Sequence, residues 1–152
     1  MADLVIRPAT AADLGALVPL FDGYRMFYGQ PSDPALARTF LAERLDRLDT
    51  VLLLAELEGV AAGFTHLFPI FSSTRCARLW LLNDLFVSAG ARKHGVARAL
   101  LRAAEAHARS TGACGLELAT AHSNTPAQQL YQSMGWTLDT TFRHYELVFD
   151  RA

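Results

Sequence analysis

Apolar residues follow a strand-like pattern in seven short segments and recur at helical spacing in four longer ones. The strand-like segments are residues 3–8, 51–57, 60–68, 77–87, 114–120, 136–138 and 144–149. The helix-like segments are residues 10–21, 34–48, 95–110 and 124–134. Segment 77–87 is apolar on both of its faces, which is typical of a strand covered on both sides. The pattern therefore predicts an α/β protein with a central sheet.

Residues with special backbone preferences mark the predicted boundaries. Pro8 and Pro69 end two of the predicted strands, and Glu58-Gly59 predicts a hairpin turn. Thr10 is a helix N-cap, with Asp13 three residues on as in a capping box. Residues 22–31 hold three aromatic residues and two glycines, and they predict a helix end and a loop that exposes those rings.

Composition and charge narrow the class of protein. The 152 residues fit a single domain, residues 1–152, and 51% of them are hydrophobic, enough for a core. A net charge of −1 gives no reason to expect nucleic acid or a membrane surface as a partner. The N-terminal residues show no signal-peptide pattern, and the longest apolar runs are too short to span a bilayer. We expect a cytoplasmic protein.

The two cysteines, Cys76 and Cys114, form no CxxC pair and have no His or carboxylate at metal-ligand spacing. Both are interpreted as reduced structural residues of a cytosolic protein, and no metal site is expected.

A basic loop with a glycine, residues 92–97, precedes the third predicted helix. The first N–H groups of a helix lack intrahelical partners, and together with the helix dipole they attract anions. Gly95 lets a phosphate approach the backbone, and Arg92, Lys93 and His94 add positive charge and donors. The loop is neither a P-loop nor a GxGxxG fingerprint. It suits a pyrophosphate, but alone it is equally compatible with an ordinary turn carrying a solvated basic patch.

Two ordered motifs between residues 80 and 136 resemble the GNAT (Gcn5-related) N-acetyltransferase superfamily. The first matches the loop pattern [QR]xxGx[GA] at Arg92, Gly95 and Ala97. The second has an Asn, an apolar helix, a Tyr and a terminal Gly-aromatic pair. Its positions are Asn124, Tyr131, Gly135 and Trp136.

The resemblance implies a mixed, mostly antiparallel sheet of about seven strands and about four helices, with acetyl-CoA in a splay between the fourth and fifth strands. Its pantetheine would add to the edge of strand 77–87 as a peptide does in β-augmentation. An N–H of Phe86 or Val87 would polarise the thioester carbonyl. The implied cofactor-binding residues are Leu85, Phe86, Val87, Arg92, Lys93, His94, Gly95, Val96, Ala97, Asn124 and Tyr131.

By the same resemblance, Tyr131 donates a proton to the leaving thiolate and Asn124 binds the pantetheine. From the residues alone, the position of Tyr131 on an amphipathic helix favours a core tyrosine with a satisfied hydroxyl, and Asn124 could be a helix cap. Many members of the family dimerise, and the apolar end of the chain leads us to expect a homodimer.

An amine acceptor must lose a proton before it attacks. With a pKa of about 10.4, an alkylamine is neutral roughly once in 2,500 molecules at pH 7, a cost of about 4–5 kcal/mol. The enzyme therefore needs a base, a water relay or a site that favours the neutral amine. The candidate bases are Asp84, Glu117, His122 and Asp22. Asp84 either holds or deprotonates the ammonium, or it pairs with a nearby arginine or caps a bulge.

Residues 82–87 resemble the LEDLYV-type segment of diamine and thialysine acetyltransferases and of yeast histone and D-amino-acid acetyltransferases. Asn83 stands where many of those have Glu, and an amide cannot act as a base. We expect Tyr24, Phe27, Tyr28 and Trp80 to line the acceptor pocket, because aromatic faces suit cations. Alternatively these rings only cap the core. Asn83 and Asp84 complete the expected acceptor site.

Three functions remain open at this point. The first is acetylation of a primary amine on a small molecule, such as a polyamine or an amino acid. The second is the same chemistry on a protein lysine or N-terminal amine. The third is a regulatory module that binds CoA without turnover.

Overall fold

The computed structural model describes residues 2–150, which contain one five-stranded sheet and four α-helices. The strands are β1 (Leu4–Pro8), β2 (Val51–Leu57), β3 (Val60–Ser72), β4 (Ala77–Val87) and β5 (Leu116–Glu117). The helices are α1 (Leu14–Phe27), α2 (Pro34–Arg47), α3 (Val96–Ser110) and α4 (Thr125–Ser133). The chain divides between Ala119 and Thr120 into two compact units: the first holds the sheet and α1 to α3, and the second holds α4.

The sheet follows chain order, β1 to β5, with antiparallel pairs until β5 joins β4 in parallel. Residues of β2 alternate between the two faces. Leu52 and Leu54 pack with α1 and α2 in one core cluster, and Leu53 and Ala55 belong to a second cluster with Val96 and Leu100 of α3. The mixed α/β fold expected from the sequence is confirmed, with helices on both faces of the sheet.

The expected strand count of about seven is wrong, because the structure has five strands in residues 2–150. Residues 136–138 and 144–149 form no strand, and β5 covers two residues instead of the expected 114–120. Leu138, Phe142 and Leu147 are each about 80% exposed. An alternating apolar run specifies which face a strand would bury, but it becomes a strand only where a neighbouring edge pairs with it.

Helix α1 extends to Phe27, so the loop predicted for residues 22–31 begins later than expected. The glycine at position 23 does not end the helix, because Phe21 and Tyr24 on either side of it pack against Phe64 of β3. The chain leaves the helix at Gly29, whose φ of 83° favours glycine.

Strand β3 also continues beyond Pro69, where the sequence predicted its end. Pro69 lies opposite Trp80 of β4. The Trp80 N–H donates to Gly115 O at 3.2 Å, on the β5 side, so the Pro69–Trp80 pair is one that exchanges no hydrogen bonds. The missing proline N–H therefore costs the ladder nothing, which is why proline is tolerated there.

Candidate active site

The candidate site is organised by a β-bulge in β4. His66 of β3 pairs with Asp84, but the next residue, Leu67, pairs with Leu82. Asn83 is therefore the extra residue of the bulge, and it is exposed whereas Asp84 is 3% exposed. A bulge of this kind bends a strand and changes which side chains and backbone groups reach each side.

The bulge shifts the direction of the backbone N–H groups along β4. Before it, the Trp80 N–H points toward β5; after it, Ser88 N–H donates to Ala62 O of β3 at 2.8 Å. Since neighbouring residues of a strand alternate, Phe86 directs its N–H to β3, and Leu85 and Val87 direct theirs to the β5 side. β5 pairs only with Trp80 and Leu81. The amides of Leu85 and Val87 thus lie on an edge of β4 that β5 does not cover.

The start of α3 has the features of an anion site. Gly95 is its N-cap, with a φ of 77°, and offers no side chain to cap the helix. The first intrahelical bond joins Ala99 N–H to Gly95 O at 3.0 Å, so the N–H groups of Val96 and Ala97 lie ahead of it. Arg92 folds back, and its Nε donates to Val87 O at 3.3 Å.

The basic side chains of the same loop, Arg92, Lys93 and His94, are all exposed. Positive charge therefore surrounds the end of the open β4 edge. The loop can accept an anionic group at the helix start while an extended ligand follows Val87 and Leu85 along the strand.

A chain of hydrogen-bonded polar groups lies at the bulge, with Thr65, His66 and Asp84 buried. Asp84 Oδ1 accepts from the Asn83 side-chain amide at 2.6 Å, and Asp84 Oδ2 is 3.1 Å from Nδ1 of His66. The other ring nitrogen of His66, Nε2, is 2.6 Å from Thr50 Oγ1. Thr65 adds a hydrogen bond of 2.8 Å to the Asp84 carbonyl.

Within residues 2–150, no lysine or arginine forms an ion pair with Asp84; its carboxyl group instead contacts the imidazole of His66. The Asn83 amide and this imidazole hold the buried carboxyl group. A carboxylate charge is costly to bury alone, so such a site favours a cationic ligand. The pairing with an arginine that the sequence left open is not what the structure shows.

Aromatic side chains from α1 border the bulge on one side. The Tyr24 hydroxyl donates to Asn83 O at 3.2 Å, and its ring is 5.1 Å from that of Tyr28. Phe27 and Tyr28 are 60% and 49% exposed. Their rings meet edge to face at 5.2 Å.

Trp80 does not join this aromatic group. It is 6% exposed, its indole N–H donates to Thr111 Oγ1 at 2.9 Å, and its ring packs against His107 of α3 at 5.0 Å. The structure therefore separates Trp80 from Tyr24, which packs on Phe64 on the α1 side of the sheet.

Two further candidate bases in this unit have different surroundings. Asp22 accepts from the Ser32 hydroxyl at 2.7 Å and the Asp33 N–H at 2.8 Å. These two hydrogen bonds, with a smaller contribution from Arg25, hold the pKa of Asp22 below its ordinary value. Glu117 is exposed on β5.

The second unit carries Asn124, Tyr131 and His122. Asn124 is the N-cap of α4, and its Oδ1 accepts from Ala127 N–H at 3.3 Å. Tyr131 is half-buried, with its ring 6.1 Å from that of Trp136. His122 is exposed, and its carbonyl accepts from the Gln128 side chain at 3.0 Å.

The sequence analysis did not identify His66 and Thr50. The sequence held a signal for His66, since this residue interrupts the apolar run of β3. In the structure its side chain is 0% exposed. Its partner Asp84 lies 18 residues away. No local sequence pattern predicts a contact between residues so far apart.

No group of three or more His, Cys, Asp or Glu side chains in residues 2–150 is arranged to hold a metal ion.

Comparisons with known proteins indicate the class of enzyme to which this chain is similar. The chain is 46% identical over 140 residues to an uncharacterized N-acetyltransferase of Bacillus subtilis, YhfO, covering 92% of this chain and 94% of that protein. It is 28% identical over 139 residues to the D-amino-acid N-acetyltransferase HPA3 of Saccharomyces cerevisiae, covering 90% and 86%.

Two solved structures have the same fold. A crystal structure of a probable acetyltransferase superposes with a TM-score of 0.90 at 40% identity, covering 97% of this chain and 99% of that one. The aminoglycoside N-acetyltransferase AAC(6')-Iy, in complex with CoA, superposes with a TM-score of 0.74 at 22% identity, covering 100% and 96%. Together with the relatives, these likenesses define an acetyl-CoA-dependent N-acetyltransferase.

The model of the acetyltransferase (GNAT) family matches residues 17–136, and the chain belongs to this family. The resemblance seen in the two sequence motifs is thereby confirmed. None of the helices in residues 2–150 has both the length and the apolar content to cross a membrane.

Proposed function

We propose that this acetyltransferase transfers the acetyl group of acetyl-CoA to a primary amine of a small molecule, such as a polyamine or an amino acid. The observation that carries the proposal is Asp84, a buried carboxylate that has no lysine or arginine beside it in the described part of the chain. It lies at the bulge, next to the open edge of β4. An acceptor ammonium supplies the missing positive charge.

The cofactor site that we propose follows the open edge and the loop after it. The N–H groups of Leu85 and Val87 bind the extended pantetheine, and that of Val87 polarises the thioester carbonyl. Phe86, the other residue expected in this role, directs its N–H to β3, and its side chain packs against the core cluster of α1 and α2. The pyrophosphate binds the N–H groups at the start of α3 and the basic loop, residues 92–97. Asn124 and Tyr131 keep in this proposal the pantetheine-binding role that the family resemblance implies.

The proposed reaction is a direct transfer. The acceptor ammonium gives one proton to Asp84 or to a water that Asp84 orients. The neutral amine nitrogen then attacks the acetyl carbonyl carbon, forming the C–N bond as the C–S bond breaks, and it loses its second proton to water. The thiolate of CoA takes the hydroxyl proton of Tyr131, which later regains one from solvent.

The acceptor site lies between the bulge and the end of α1. Tyr24, Phe27 and Tyr28 present aromatic faces to a cation, and Asn83 is exposed beside Asp84. The yeast relative is a D-amino-acid N-acetyltransferase, which supports an amino acid among the possible acceptors. Trp80 is not part of the acceptor site in this proposal, because its indole is buried against α3.

A peptide acceptor is the second candidate, and the exposure of the aromatic group favours it. Met26, Phe27 and Tyr28 are 48–60% exposed, and an extended peptide carrying a lysine or an N-terminal amine can lie across them.

Cytoplasmic localisation and a homodimer remain our expectations: both cysteines are free thiols, and the C-terminal residues carry exposed apolar side chains.

Thiol release over a panel of amines, amino acids, polyamines and lysine peptides tests the proposed function. We expect a small amine or amino acid to have the highest kcat/KM. Tyr131→Phe should lower kcat about 10²-fold or more, the size of a general-acid contribution, and keep CoA affinity. A preference for the peptides supports the second candidate instead. CoA binding with no turnover on any acceptor would leave only a regulatory module.

A further inference from the structure

His66 is a buried polar residue that the proposed reaction does not use. It is 0% exposed in the middle of β3, and a histidine buried among phenylalanines needs partners for both ring nitrogens. It has them: Asp84 Oδ2 is 3.1 Å from Nδ1 and Thr50 Oγ1 is 2.6 Å from Nε2. Rings of Phe40 and Phe68 meet the imidazole edge to face at 6.3 and 4.7 Å.

The hydrogen-bond chemistry of the partners assigns the proton on the ring. An ionised carboxylate can only accept, so the hydrogen bond between His66 and Asp84 requires a proton on Nδ1. Nε2 is then a lone-pair acceptor in the neutral ring, and the Thr50 hydroxyl donates to it. Thr50 therefore selects the tautomer that faces its N–H to Asp84.

We propose that His66 is a positioning residue for Asp84, and that Thr50 fixes its tautomer. The proposal rests on the proposed function, in which Asp84 receives the acceptor ammonium. The Nδ1–H of His66 holds one carboxylate oxygen and the Asn83 amide holds the other at 2.6 Å. The carboxylate is thereby fixed in direction, with lone pairs left for the acceptor or an ordering water.

The same assignment excludes His66 as a carrier of the acceptor's proton away from Asp84. Nδ1 already bears a proton and cannot take a second from the carboxylate. The imidazole acts instead as a rigid donor, and the two phenylalanine rings restrict its rotation. A carboxylate that moves by about 1 Å can cost 10²-fold in rate, so this restriction affects the reaction.

Two substitutions of His66 separate the roles of its nitrogens. In His66→Asn the side-chain amide lies near the position of Nδ1 and can still donate to Asp84. In His66→Gln the amide extends to the position of Nε2 and reaches Thr50, and the donor to Asp84 is lost. Both variants replace the same buried imidazole by a side-chain amide, so each is the structural control for the other.

We expect His66→Gln to lower kcat/KM for the best amine about 10- to 100-fold, and His66→Asn to recover most of that loss. The KM for acetyl-CoA should stay unchanged in both. Thr50→Val should give a smaller loss, which Thr50→Ser restores. Melting temperatures, measured in parallel, show that each variant is folded.

Equal activity of His66→Gln and the unchanged enzyme would overturn the proposal. So would folded Asn and Gln variants that lose activity to the same extent, because that result means a packing role. NMR correlation of the imidazole nitrogens at pH 8 should show the proton on Nδ1, and a proton on Nε2 would overturn the assignment without any activity measurement. Should the unchanged enzyme acetylate no amine, the proposed function fails, and the NMR result still decides how His66 is bonded.

Discussion

Asp84 illustrates how the surroundings of one side chain decide its chemistry. At the sequence level it could hold an ammonium, pair with an arginine or cap a bulge. In the structure it lies in the bulge, 3% exposed, with an amide and an imidazole as its partners. Asn83, which stands where many similar enzymes have Glu, donates to this carboxylate. In the function that we propose, the acidic group therefore lies one position further along the strand, at Asp84.

Replacing Asp84 by Asn tests this interpretation. Asp84→Asn keeps the shape of the side chain but removes the negative charge, so we expect kcat/KM for the amine to fall at least about tenfold, with CoA affinity unchanged. Steady-state kinetics with the best acceptor measures the effect. Glu117→Gln, on the exposed face of β5, is the matched control. A larger loss in that variant would move the base to Glu117.

Strand β4 and helix α3 together position the backbone N–H groups of the proposed cofactor site. The bulge directs the amides of Leu85 and Val87 to the open edge, and the chain then passes through a short 3-10 turn, Ala89–Ala91, to the glycine that begins α3. Gly63 of β3 lets the backbones of β3 and β4 approach closely here, because a Cβ at position 63 would lie 2.6 Å from Phe86 O. The elements therefore position backbone groups, not only side chains.

The start of α3 can be tested with two alanine substitutions in one loop. Gly95 has a φ of 77° and Gly90 has no such constraint, and neither would place a Cβ within 4 Å of other atoms. Gly95→Ala should therefore cost about 1 kcal/mol in stability and weaken CoA binding several-fold. Gly90→Ala should leave both unchanged. Calorimetry with CoA measures both affinities, and equal CoA affinity in the two variants would speak against the proposed pyrophosphate site.

At the scale of the whole molecule, an ion-pair network joins the edge of the sheet to the start of α1. Arg7 of β1 binds Asp13 at 2.7 Å and Glu56 of β2 at 2.6 Å. The Thr10 N–H also donates to Asp13 at 2.7 Å, so the capping box expected from the sequence is present. The hydrogen bonds from Arg7, followed by that from Thr10, hold the pKa of Asp13 well below its usual range.

This lowered pKa gives the stability a defined pH dependence. The contribution of Asp13 is complete above its unfolded pKa of about 3.9 and disappears as the pH falls through the lower folded pKa. Asp13→Asn should lower the melting temperature by roughly 2–4 °C at pH 7, as expected for loss of about 1 kcal/mol. The difference should shrink below pH 4. Asp46→Asn, on the exposed face of α2, is the control, and a difference that grew on acidification would contradict the assignment.

The sequence by itself determined the order of the elements, most of their bounds and the family. Strands β2 and β4 lie where the apolar pattern put them, and α3 begins one residue after Gly95. These features depend on residues within one or two turns of each other, so they can be read locally. The predicted site residues of the loop follow from the same local motif.

Only the tertiary structure decided the bulge, the five-stranded sheet, the length of α1 and the bonding of Asp84. Each of these depends on pairing between distant segments: His66 meets Asp84, Phe64 holds Tyr24, and Pro69 is tolerated because it faces Trp80. Residues 136–138 and 144–149 have the alternating pattern of strands but form no strand. Alternation indicates which face is apolar, and it does not supply a partner edge.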